Sequence, residues 1–293
     1  MKTYSIPRQI WRAFYPFLIC VGLAFIVPLV ASMAFSVSLT IEAAGSGVDL
    51  PDMELISKQI EAFITDNTML FQLVANAIAI FIFALMWRKI RAKLPRYEAN
   101  RINILTAGLT ILCFAGLNYL LVSIFSITDI TRFFPSYEAH AELLLGGGFL
   151  IRIIGLGLLA PLVEELVCRG IIFNRLGSWM PTWAAALVSS ALFAVMHFNL
   201  FQLLYTFVVG LAFCAVYIRF RNLGVAVLGH VSFNIANVAL IEILAATGRD
   251  EINDLYLLIP SLLAVGAGIV LMKKHTNAAV LIQESEATIK NEN

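Results

Sequence analysis

The residues best suited to chemistry fall in three groups inside otherwise apolar stretches. The first is Glu164-Glu165-Leu166-Val167-Cys168-Arg169. Glu165 and Arg169 are four residues apart with the acid first, the favourable order for an ion pair on one helix face. Glu164 lies about 100° around the helix from Glu165 and has no such local partner. Burial disfavours the charged form of an unpaired carboxylate, which primes it to take a proton as a general base. The second group is Phe193-Ala194-Val195-Met196-His197. The third is His230-Val231-Ser232-Phe233-Asn234, with His230 and Asn234 on one helical face and Asn237 extending that stripe. Each charged group near the centre of a membrane helix costs roughly 2.5–3.5 kcal/mol, so such residues persist where they pair or work.

Each group alone has a plain structural reading. Glu164 would bond a neighbouring helix, His197 would be a satisfied core residue, and the His230 stripe would be an interhelical hydrogen-bond seam. Together they hold one spare carboxylate, two imidazoles and an amide on three segments. Those are the parts of a water-activating hydrolytic site, with a base, groups to steady an oxyanion and an amide to orient. They are equally a zinc set, since Glu164, His197 and His230 would leave a fourth position for water. The sequence lacks HExxH and offers no serine-nucleophile motif in a useful place.

The elements that must position these residues are membrane helices. The chain has 293 residues, 60% of them hydrophobic and only 13% charged, with a mean hydropathy of +0.87. A soluble domain carries about 25% charged residues, so lipid is the expected solvent. The net charge of +1 gives no electrostatic case for nucleic acid. Apolar stretches suggest eight spans, at about 13–39, 68–88, 103–127, 143–173, 182–197, 201–218, 223–246 and 255–272. The expected fold is therefore an all-α polytopic bundle. A membrane domain over 1–275 would contain a catalytic core at about 143–246, and 276–293 would form a mobile cytoplasmic tail.

Basic residues fall on one side of an eight-span arrangement: Lys2, Arg8 and Arg12; the run from Arg88 to Arg101; Arg219 and Arg221; Lys273 and Lys274. The positive-inside rule then puts both termini in the cytoplasm. The first apolar stretch is too long for a signal peptide and reads as a retained helix. Residues 51–66 carry Met53, Ile56, Ile60 and Phe63 at helical spacing, which suggests a short amphipathic helix on the outer surface. Cys20, Cys113, Cys168 and Cys214 lie in apolar stretches without metal-site spacing and read as buried thiols.

In order and spacing, the three motifs resemble those of the CPBP family of intramembrane proteases, the group related to type II CAAX prenyl endopeptidases and bacteriocin-processing proteins. EExxxR is matched by Glu164, Glu165 and Arg169, FxxxH by Phe193 and His197, and HxxxN by His230 and Asn234, all within about 70 residues. The resemblance implies that Glu164 activates the attacking water. It implies that His197 assists that base or binds a metal, and that His230 and Asn234 hold the oxyanion. Glu165, Arg169 and Phe193 would be supporting residues. Cys168 stands where the family often has a bulky aromatic. Leu200 stands where eukaryotic members often have a further histidine, which favours the broader prokaryotic branch and a prokaryotic plasma membrane. The implied partner is a membrane-associated protein or peptide substrate in a bilayer, with zinc as the one candidate cofactor. The competing readings are a non-catalytic immunity or scaffold protein of the same fold and, with less support because no internal repeat is visible, a transporter. If His197 shares a site with Glu164 and His230, span five must be short and its turn sunken.

Overall fold

The computed structural model describes residues 5–46, 53–92, 102–137, 148–248 and 256–270. Among them there is no strand, and helices account for nearly all residues. In chain order they are α1 (Ile6–Ser46), α2 (Met53–Arg91) and α3 (Ile104–Thr128), then α4 over 149–176. After α4 come α5 (Thr182–Val195), α6 (Leu200–Phe220), α7 (Leu223–Thr247) and α8 (Tyr256–Val270). Five of these, α1, α2, α3, α6 and α7, are long and apolar enough to cross a membrane. The chain is thus a multi-pass membrane protein, with α5 and α8 as shorter apolar helices.

Two expectations change. Of the expected surface helix at 51–66, the described part from Met53 onward is not a separate element but the first turns of the 39-residue α2. The continuous helical spacing explains this: Asp66-Asn67-Thr68 contains no helix breaker, and the Asn67 and Thr68 side chains bond back to the carbonyls of Phe63 and Ile64. Asn237 stands exposed rather than joining the buried face of His230. Lys2, Lys93, Arg96, Arg101, Lys273, Lys274 and the expected tail at 276–293 lie outside the described residues.

The core is built around α4. Its stretch Leu166–Phe173 is buried at every position, and α1, α2, α5 and α7 all pack against it. This helix is irregular. Ile153–Leu159 and Leu166–Phe173 follow the wider i→i+5 hydrogen-bond pattern, on either side of the α-helical turn Ala160–Glu165. Widened turns of this kind are rare and concentrate at functional sites. At membrane depth the backbone groups they expose need partners, and side chains supply them. Ser189 Oγ on α5 donates to the Cys168 carbonyl at 2.8 Å. Asn174 Nδ2 donates to the carbonyls of Arg169 and Gly170, at 2.6 and 3.0 Å, and meets the Tyr217 hydroxyl on α6 at 2.7 Å. Asn174→Ala is expected to cost about 1–3 kcal/mol by orphaning these groups, read as a lower denaturant midpoint in detergent.

Pro16 leaves a comparable vacancy that a side chain fills. Pro16 lies inside α1 and has no N–H to give the Arg12 carbonyl one turn earlier. Arg175, at the end of α4, supplies the missing donor to Arg12 O. Its guanidinium also donates to the Tyr15 hydroxyl at 3.0 Å and lies over that ring at 4.9 Å. The base of α1 is thereby fixed to the helix that carries the two glutamates. On the far side, α3 packs most extensively against α7. A Cβ on Gly229 would come within 2.7 Å of the Phe114 ring, so the residue before His230 must be small for α7 to approach α3 this closely.

Candidate active site

Glu165 and Arg169, one turn apart on α4, are both 0% exposed and pair at 2.9 Å between Oε1 and Nη1. The other arm of Arg169, Nη2, donates to the Gly210 carbonyl of α6 at 2.6 Å. His230 of α7 lies beside this pair. Its Nδ1 is 3.0 Å from Glu165 Oε1, and its Nε2 is 3.4 Å from Glu164 Oε2. One imidazole therefore bridges both carboxylates. Glu164 is not without a partner, as its place on α4 alone suggested; its partner comes from a helix that local spacing cannot reveal. Glu164 keeps 21% of its side chain exposed, against 4% for His230, so it is the member of the cluster best placed to meet water.

Aromatic rings hold the imidazole in place. Phe213 of α6 stacks on His230 with centroids 4.2 Å apart and planes 22° from parallel, and Phe193 of α5 meets it edge-on at 5.5 Å. Both rings also lie under the Arg169 guanidinium, at 4.8 Å for Phe193 and 5.6 Å for Phe213. Gly210 makes this packing fit. A Cβ there would stand 2.9 Å from Phe193 Cδ1 and 3.3 Å from Arg169 Nη2. Gly210→Ala is expected to destabilise the protein by about 1–3 kcal/mol, the usual cost of overpacking, visible as a lower unfolding midpoint.

His197 lies just past the end of α5, in the turn that leads into α6. The helix is only 14 residues long. His197 Nδ1 is 3.0 Å from the Phe193 carbonyl, and its ring meets Phe193 edge-on at 5.0 Å. The same Phe193 ring meets both imidazoles, His197 at 5.0 Å and His230 at 5.5 Å. The next residue, Phe198, adopts a left-handed backbone with φ of 50°, a conformation that costs a non-glycine residue roughly 1–2 kcal/mol. That turn reverses the chain into α6 directly after the histidine.

Asn234 shares the His230 face one turn on, and its Nδ2 donates to the Leu156 carbonyl of α4 at 2.8 Å. In the i→i+5 pattern that carbonyl would accept from residue 161, which is Pro161 and has no N–H. Asn234 thus fills a vacancy that proline creates. Three further participants were not apparent in the sequence: Phe213, Gly210 and the ion pair between Arg152 of α4 and Glu242 of α7. The last had a usable signal, namely opposite charges within two apolar segments. Together, Glu165 to His230, Leu156 to Asn234 and Arg152 to Glu242 seam α4 to α7 at three levels.

Residues 146–236 match the Rce1-like family of type II CAAX prenyl endopeptidases. The match spans every motif residue of the Glu164, His197 and His230 groups, and bears out the resemblance read from them. The Bacillus subtilis (strain 168) protein named "Putative membrane peptidase YdiL" is 31% identical over 84 residues, which are 29% of this chain and 34% of that protein. The match therefore spans about a third of that relative's length. No solved structure matches the chain.

A resident metal would need converging donors. Among the described residues, no three His, Cys, Asp or Glu gather closely enough to hold one. Glu164, His197 and His230 share a region without forming a ligand cage, and His230 presents both nitrogens to carboxylates.

Proposed function

We propose that the protein is an intramembrane endopeptidase that hydrolyses a peptide bond in a membrane-associated protein or peptide, with Glu164 as the general base. The observation that carries this reading is the chain of contacts Glu164–His230–Glu165–Arg169, buried except at Glu164. The family match and the peptidase name of the Bacillus relative support the reaction class.

Glu164 takes a proton from water, and the hydroxide attacks the scissile carbonyl. Glu165 accepts from His230 Nδ1–H and leaves Nε2 turned toward Glu164 and the reacting centre. With His230 protonated, two carboxylates face a guanidinium and an imidazolium, so the four groups are neutral together, which makes their burial tolerable. Nε2–H then donates to the oxyanion as charge develops on it. The Asn234 amide nitrogen carries two hydrogens. One is held by Leu156, and the second is kept for the same oxyanion. Fixed donors in a site with little water stabilise such charge strongly. His197 relays the proton from Glu164 toward the leaving amine. We place the basic ends of the helices, and both termini, on the cytoplasmic side.

The test is cleavage of quenched-fluorescent peptides carrying a membrane-spanning segment by full-length protein in lipid nanodiscs, with products identified by mass spectrometry. His230→Gln is expected to slow turnover about 100- to 1,000-fold, the usual loss of an oxyanion donor. Full activity in that variant would overturn the assignment of His230.

A further inference from the structure

We propose that α1 carries a binding site for an anionic phospholipid, with one acyl chain in a groove along the helix and the phosphate at its basic N-terminal end. The groove has a volume of about 530 Å³ and is lined along one face by Trp11, Tyr15, Leu18, Gly22 and Ile26, among others. All of its lining residues belong to α1, so the groove is open along its length to the surrounding lipid. From Trp11 to Ile26 the groove runs about 22 Å along the helix axis, a length suited to an extended hydrocarbon chain. Gly22 forms its floor, and a Cβ there would meet nothing nearer than Ile26 Cδ1 at 4.0 Å.

Three features select the occupant. Arg8 lies one turn before Trp11 on the same face, and Arg12 sits between Trp11 and Tyr15. The first 41 residues contain no acid, so this end of α1 carries net positive charge. The Arg175 guanidinium, bonded to Tyr15, adds a third cation at that level. Second, Trp11 and Tyr15 stand at the mouth with ring centroids 6.2 Å apart. Rings of this kind favour the headgroup boundary, where one edge is dry and the other wet. Third, the ends of other helices place further basic residues at the same pole. A Cβ on Gly170, near the C-terminal end of α4, would lie 3.4 Å from both Trp87 and Leu223, which brings Arg88, Lys89 and Arg91 of α2 and Arg221, just before α7, to this end of the bundle. A basic rim above an apolar slot matches a negatively charged headgroup with its chain, rather than a neutral lipid.

The experiment is native mass spectrometry of the full-length protein released from nanodiscs holding equal phosphatidylglycerol and phosphatidylcholine with identical chains. The protein is expected to retain phosphatidylglycerol about fivefold or more over phosphatidylcholine, the factor one interfacial arginine supplies. Arg8→Gln should lower that preference by about fivefold. Gly22→Leu, which fills the slot, should reduce retention of both lipids. If Gly22→Leu fails to fold, Ile26→Trp at an exposed position fills the same slot. Equal retention of the two lipids by the unaltered protein would overturn the proposal. So would unchanged retention in the filled variants, or recovery of a second protein copy or a peptide on this face in place of lipid.

Discussion

Glu164→Gln is expected to lower the rate of peptide-bond hydrolysis by about 100- to 10,000-fold, the range spanned by loss of a general base, while leaving the fold intact. The amide has the same shape as the carboxylate and still reaches His230 Nε2, 3.4 Å from Glu164 Oε2. It has no charge with which to take a proton from water. The side chain is also partly exposed, so the exchange orphans no deeply buried group. Turnover of a membrane-anchored peptide and thermal unfolding, both measured in nanodiscs, separate the two effects. Substantial residual turnover in a folded Gln variant would remove Glu164 from the role of base. A collapse of thermal stability would make it a packing residue instead.

Arg169→Ala is expected to destabilise the protein by about 3–5 kcal/mol, the cost of leaving a buried charge without its partner. Three losses coincide: Glu165, 0% exposed, loses its 2.9 Å contact; the Gly210 carbonyl loses its 2.6 Å donor; and Phe193 and Phe213 lose the cation above their rings. Arg169→Lys restores the charge but not the two-armed reach, since an ammonium lacks the planar fork. It should recover only part of the loss. Denaturant unfolding in detergent measures the series Arg, Lys, Ala. An alanine variant as stable as the parent would show that Glu165 has another source of compensation.

Much of the architecture is legible in the sequence, because lipid imposes a simple pattern. Each of the eight apolar stretches contains a helix, and the short α5 ends where the sequence places it, just before His197. The residue types of the site are also legible, since Glu164, His230 and Asn234 are conspicuous against apolar surroundings. Their partnerships are not. The pairing of Glu165 with Arg169 is local and follows from four-residue spacing, whereas the bridge through His230 joins residues 65 apart. Phe213 looks like any apolar residue of α6 until it stacks on the imidazole. The widened turns of α4 are invisible too, because the side chains of Ser189, Asn174 and Asn234 that satisfy them come from elsewhere in the chain or beyond the turn.

The self-neutralising pair on α4 also bears on how the molecule is made. A nascent chain presents α4 to the lipid well before α7 has been synthesised. Glu165 and Arg169 can enter as a couple, cancelling one another on a single turn without outside help. Glu164 has no such companion at that stage and must wait for His230 to arrive. The order of synthesis thus lets Glu165 enter the lipid already paired on its own helix, whereas Glu164 gains its partner only when α7 packs against α4.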